Sequence, residues 1–78
     1  MLTYKASCKT AEGVILAEVL DFPGVIAYGN SMDETRRNLA SALRDMAETN
    51  LLAGEALPLA KPNATDLDAD LEEPIQVL

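Results

Sequence analysis

The sequence predicts an α+β domain of order β-β-β-α-β: a three-stranded antiparallel meander, one long helix and a short C-terminal strand. Three observations predict it. Residues 2–9 alternate between apolar and polar side chains, the period of a half-buried strand. The stretch Asp21-Phe22-Pro23-Gly24-Val25-Ile26-Ala27-Tyr28-Gly29-Asn30-Ser31-Met32-Asp33-Glu34 compresses a turn, a strand, a second turn and a helix start into fourteen residues. Leu39, Leu43 and Met46, with Ala42, then recur at three- and four-residue spacing, which draws one apolar stripe along a helix.

The meander occupies residues 1–30. In its first strand Leu2, Tyr4, Ala6 and Cys8 face one way, and Thr3, Lys5, Ser7 and Lys9 the other. Thr10-Ala11-Glu12-Gly13 is a turn in which Gly13 is free to take positive φ. Val14 to Leu20 is rich in branched and apolar residues, interrupted by Glu18, and follows at hairpin distance. Pro23 has no N–H to donate and its φ is fixed, so Asp21-Phe22-Pro23-Gly24 ends the second strand, with Pro-Gly suited to the centre of a type II turn. Val25 to Tyr28 forms the third strand, stopped by Gly29-Asn30.

The helix is expected over residues 31–54. Ser31 and Glu34 have the spacing of a capping box, each side chain satisfying an orphan N–H of the first turn. Asp33 and Glu34 also suit the positive end of the helix dipole, and Gly54 is a natural stop. Residues 55–73 read as a loop and acidic segment, with Pro58, Pro62, Asn63 and Thr65 followed by Asp66, Asp68, Asp70, Glu72 and Glu73. Residues 74–78 have strand character and are expected to return beside the first strands. One domain spans residues 1–78.

Composition narrows the function. A chain of 78 residues buries only about 60% of its unfolded surface, so a lone core is marginal. A single cysteine rules out an internal disulfide framework. Association with another chain is the expected source of further apolar burial, and a homo-oligomer, dimer or tetramer, is expected on that ground. The formal net charge is −7, with 6 Lys and Arg against 13 Asp and Glu. Phosphate binding needs a basic footprint, so nucleic acid is not an expected partner. Lys61 is the only base among residues 61–78, against five acids, and such a segment favours basic partners. No apolar run approaches the roughly 20 residues that span a bilayer. A soluble, cytoplasmic chain is expected.

Catalytic chemistry finds no support in the residues. The chain has no His, so Ser7, Ser31, Ser41 and Cys8 lack the usual base. The carboxylate pairs Asp33/Glu34 and Glu72/Glu73 are adjacent in sequence and point apart. Asp66-Leu67-Asp68-Ala69-Asp70 has acids at every second position but lacks the glycine and the distant Glu of a calcium loop. No metal and no cofactor is expected. The residues left for a binding role are Glu18, on a sheet face with either Lys5 or Lys9 as a cross-strand partner or a second protein across the open face; Tyr28, core or interface; the acidic series Asp66, Asp68, Asp70, Glu72 and Glu73; and the first strand, expected at a sheet edge with unpaired N–H and C=O groups. Arg36, Arg37 and Arg44 form a small basic face on the helix.

The order of these motifs resembles the HicB-like antitoxin family of type II toxin–antitoxin systems. The residues that carry the resemblance are Tyr4 in the first strand, Asp21, Pro23 and Gly24 in the turn, Gly29 at the end of the short strand, Glu34 and Asn38 in the capped helix, and Gly54-Glu55 followed by Leu57-Pro58. The resemblance covers residues 2–62 and the final strand. It implies a truncated ribonuclease-H-like fold without catalytic acids. It further implies a non-catalytic antitoxin that masks a small basic HicA-type mRNA-cleaving toxin. Many members carry a C-terminal DNA-binding segment, and residues 1–78 contain none, so a standalone domain is expected, with its part in transcriptional autoregulation left open. The alternative is a solitary regulatory or adapter domain with another protein partner.

Overall fold

The computed structural model describes residues 2–77; the expectations on Met1 and Leu78 lie outside the described residues. Strands β1 (Leu2–Ala11), β2 (Val14–Val19) and β3 (Ile26–Gly29) precede helix α1 (Met32–Leu52), and strand β4 (Leu71–Val77) closes the order. All pairings are antiparallel, and the sheet order is β3-β2-β1-β4.

Local rules account for the elements. Ala11 pairs with Val14, which leaves Glu12 and Gly13 as a two-residue hairpin turn. Both take positive φ, 53° and 81°, as a type I′ turn requires. Gly24 likewise takes φ 91° after Pro23. Gly29 is needed for close approach: a Cβ there would stand 2.8 Å from Thr35 Oγ1 and 3.0 Å from the Thr35 amide nitrogen. Ser31 caps α1 with extended φ and ψ, and its Oγ accepts from the Glu34 N–H at 3.1 Å. The Glu34 carboxylate returns to the N–H of Asn30 at 3.1 Å, one residue earlier than in the standard box.

α1 packs its Thr35, Leu39, Leu43 and Ala47 against one face of the sheet. Met46 and Ala42 are only partly buried at the margin of that stripe. From the sheet come Tyr4, Ala6, Cys8, Ala17, Val19 and Ala27, with Phe22 and Val25 from the turn. Tyr4 and Phe22 meet edge to face, with ring centroids 5.3 Å apart. Burial raises the Cys8 thiol pKa, with the Glu73 carboxylate adding to the effect, so Cys8 behaves as a small core residue. Leu2, expected on the same face, is exposed.

Two expectations are corrected. The final strand begins at Leu71, not residue 74, and pairs with β1 from Leu2↔Val77 to Cys8↔Leu71. Leu71, Ile75 and Val77 share the helix side with Glu73, whose charge is met by Arg36. In consequence β1 is not an edge strand: β2 and β4 cover it on both sides, and the edges are β3 and β4.

Candidate protein-docking surface

The sheet face away from α1 divides into two halves. Over β1 and β4 lies the chain from Pro62 to Asp70, tied down by side chains from the sheet. It is reached from the α1 side, where the core Tyr4 donates its hydroxyl to the Pro58 carbonyl at 2.7 Å. The Lys5 ammonium donates to the carbonyls of Pro62 and Ala64 at 2.6 and 2.8 Å. The buried Asp21 carboxylate accepts two main-chain N–H groups, from Lys5 at 2.9 Å and from Lys61 at 2.8 Å. A cleft of about 490 Å³ beneath this segment is lined by Tyr4, Lys5, Asp21 and Glu72. Its polar groups are spent on these internal bonds.

The predicted acidic residues serve the same seam. Glu72 accepts from the Thr65 hydroxyl at 2.6 Å and the Asp66 N–H at 2.9 Å, and lies 3.7 Å from the Lys5 ammonium. Those contacts, Thr65 foremost, lower its pKa. Asp66 accepts from the Asp68 N–H and sits 3.4 Å from the Lys9 ammonium, and its pKa is also lowered, chiefly by that N–H. Asp70 accepts from the Thr10 N–H at 2.8 Å. Glu73 lies on the opposite face in a bidentate pair with Arg36, at 2.9 and 3.0 Å. Of this series only the Asp68 carboxylate, which is exposed, shows neither a main-chain nor a side-chain partner among the described residues. Lys5 and Lys9, the expected partners of Glu18, are thus engaged elsewhere.

The other half, over β2 and β3, is bare. Leu16 stands opposite Tyr28, and Glu18 opposite Ile26 and Ser7. Strand alternation turns Val14, Leu16, Glu18, Ile26 and Tyr28 to this side. Ile26 is 54% and Tyr28 64% exposed, and Val14 and Leu16 are also exposed. Glu18, half-buried, has no ion pair among the described residues. The result is a carboxylate with Ser7 on its β1 side and the apolar Leu16, Ile26 and exposed Tyr28 on its β2–β3 side. That arrangement suits a partner surface that brings a base within an apolar contact. Among the described residues no three His, Cys, Asp or Glu side chains are grouped to hold a metal ion.

The structure therefore brings Glu18 and Tyr28 together and leaves the acidic series apart from them. Sequence reasoning passed over Val14, Leu16 and Ile26 as surface residues. The signal was available: Val14-Ile15-Leu16-Ala17 is apolar at both parities, yet one helix can cover only one face. Among the described residues no helix is long and apolar enough to cross a membrane.

No family model matches the chain, and no curated protein matches it. Solved structures do match. The crystal structure of the N-terminal domain of the Burkholderia pseudomallei antitoxin HicB superposes with a TM-score of 0.78 at 20% identity, covering 97% of this chain and 98% of that one. The B. pseudomallei antitoxin HicB matches with a TM-score of 0.77 at 24% identity over 99% of this chain, which spans 64% of that chain. A chain of the HicA3 and HicB3 toxin–antitoxin complex matches with a TM-score of 0.70 at 16% identity, over 97% of this chain and 98% of that one. The fold is thus that of the HicB N-terminal domain, along nearly the whole chain.

Proposed function

We propose that this chain is a HicB-like antitoxin domain that binds and masks a small basic HicA-type mRNA-cleaving toxin, and that no bond is made or broken in its action. The observation that carries the reading is the likeness of fold to HicB domains, end to end, one of the matching structures being a toxin–antitoxin complex. The net charge of −7 supports it, since a strongly acidic chain is the electrostatic counterpart of a basic toxin and speeds their encounter. The same charge argues against direct nucleic-acid binding. The frame is read as a truncated ribonuclease-H-like fold, acting in the cytoplasm.

The bare half of the sheet is the docking surface in this reading. Val14, Leu16, Ile26 and Tyr28 supply apolar area, and Glu18 receives a basic side chain of the toxin in their midst. The acidic seam under residues 57–70 holds the fold and contributes to the long-range field. Masking is steric, with the antitoxin occupying the surface on which the toxin holds RNA.

The test is a titration of the purified chain against a HicA-type ribonuclease from the same genome. Cleavage of RNA is expected to stop near one-to-one stoichiometry. Tyr28→Ala removes an exposed aromatic anchor worth about 2 kcal/mol or more, a loss of roughly 30-fold in affinity. Glu18→Lys weakens binding at least as much by reversing a charge. Neither is expected to alter the melting temperature appreciably, because neither side chain holds the core. Undiminished cleavage at large excess of the chain retires the toxin and leaves an adapter for another protein.

A further inference from the structure

Tyr28 is the most exposed apolar residue on the bare face, and the sheet gives its main chain little hold. The Val25 carbonyl accepts from the Val19 N–H at 3.0 Å. By the alternation of an antiparallel ladder, Ala27 and Gly29 also bond β2, and the N–H and C=O groups of Ile26 and Tyr28 turn away from it. Among the described residues one side chain reaches those outward groups. The Asn38 amide donates to the Tyr28 carbonyl at 2.9 Å.

Asn38 is itself fixed by the way α1 begins. Thr35, fully buried, gives both its N–H and its hydroxyl to the Ser31 carbonyl, at 2.9 and 2.7 Å. Ser31 and Glu34 close the cap around the Asn30 N–H. Gly29, without a Cβ, lets Thr35 approach the end of β3. The turn from β3 into α1 is thus held by a run of local bonds. Asn38 lies one turn beyond Thr35, on the exposed flank of α1, and reaches back ten residues to Tyr28.

We propose that Asn38 is a positioning residue for the docking face: its amide clamps the Tyr28 main chain, so that the ring meets a partner protein already in place. The inference rests on the reading of the bare face as the docking surface, and it does not require Asn38 to touch the partner. An anchor ordered in advance loses less freedom on binding, and the saving appears as affinity. Without the donor, the Tyr28 carbonyl turns to water and the end of an edge strand frays.

Charge separates this role from a direct contact. Asp has the size of Asn but no donor, and it sets a carboxylate against the Tyr28 carbonyl. Its negative charge alone would favour a basic partner. A weaker complex with Asn38→Asp therefore marks the lost clamp, since the effect of charge has the opposite sign.

The test uses the whole chain, free and with a HicA-type toxin from the same genome. In the free chain, NMR relaxation is expected to show a rigid Gly29 amide and an ordered Tyr28 ring. Both are expected to loosen in Asn38→Ala, while the Val14 methyl groups keep their order. Affinity for the toxin is expected to fall roughly 5-fold in Asn38→Ala and to fall in Asn38→Asp as well. In a Tyr28→Ala background, Asn38→Ala is expected to cost nothing further, because the ring it positions is gone. A Tyr28 that stays ordered in Asn38→Ala overturns the inference, as does a loss of the same size in the Tyr28→Ala background or a tighter complex with Asn38→Asp. In each of these cases a native chain that binds the toxin leaves the docking reading standing. A native chain that binds no toxin retires that reading, and the positioning role with it.

Discussion

Asp21 ties itself to a strand 16 residues earlier and a loop 40 residues later, because its carboxylate accepts N–H groups from both Lys5 and Lys61. A buried donor left unmatched costs about 1–3 kcal/mol, so Asp21→Ala is expected to destabilise the fold by roughly 2–4 kcal/mol in urea unfolding. Asp21→Asn retains one acceptor and should lose less. The sequence marks Asp21 only as part of a strand-ending turn, since both of its partners are supplied by tertiary structure. Ser31 is the opposite case. Its role as cap is legible from Glu34 three residues on, and the cap stands where the spacing puts it. Ser31→Ala is expected to cost about 1 kcal/mol; a melting curve that does not move would show that the cap carries no stability. Glu12 is a residue in the wrong place, left-handed at φ 53°. Asn tolerates that region better, so Glu12→Asn should stabilise the hairpin by roughly 0.5–1 kcal/mol, read from the same unfolding curves.

The meander and helix α1 were legible because their signals are local: period-two alternation, Pro-Gly and the capping residues. Strand β4 was half legible. Leu71-Glu72-Glu73 reads as acidic tail because its charges hide the alternation, and the charges are tolerable only where Lys5, Thr65 and Arg36 meet them in three dimensions. The position of β1 in the sheet was misread because strand order is not written in any one strand. The seam between β4 and residues 65–66 is expected to respond to pH. Thr65, then the Asp66 amide, hold Glu72 below its ordinary value of 4.5, and the Asp68 amide holds Asp66 below 3.8. A carboxylate whose folded pKa is depressed stabilises the fold fully above its unfolded value, and that contribution is lost as pH falls through the folded one. The melting temperature is therefore expected to be level above pH 4.5 and to decline below it. Glu72→Gln should lie lower on the plateau and decline less steeply, and equal slopes for the two proteins would remove Glu72 from this role.

At the scale of the molecule, charge and apolar surface are kept apart. Carboxylates near β4 are matched internally and hold the segment 57–70 in place, while the bare face on β2 and β3 gathers Glu18, Tyr28 and their apolar neighbours. Composition announced an acidic binding protein, but it could not say which acids were already spent. That depends on Lys5, Lys9 and Arg36 reaching across the fold. The central claim is that the bare face receives the basic partner. The measurement that tests it most directly is a methyl NMR titration of the labelled chain with an unlabelled HicA-type toxin. The methyl signals of Val14, Leu16 and Ile26 are expected to shift or broaden in step with complex formation, while those of Leu71 and the buried Leu43 stay in place. A complex that leaves Val14, Leu16 and Ile26 unmoved, with its shifts confined to α1 or the segment 57–70, would contradict the account.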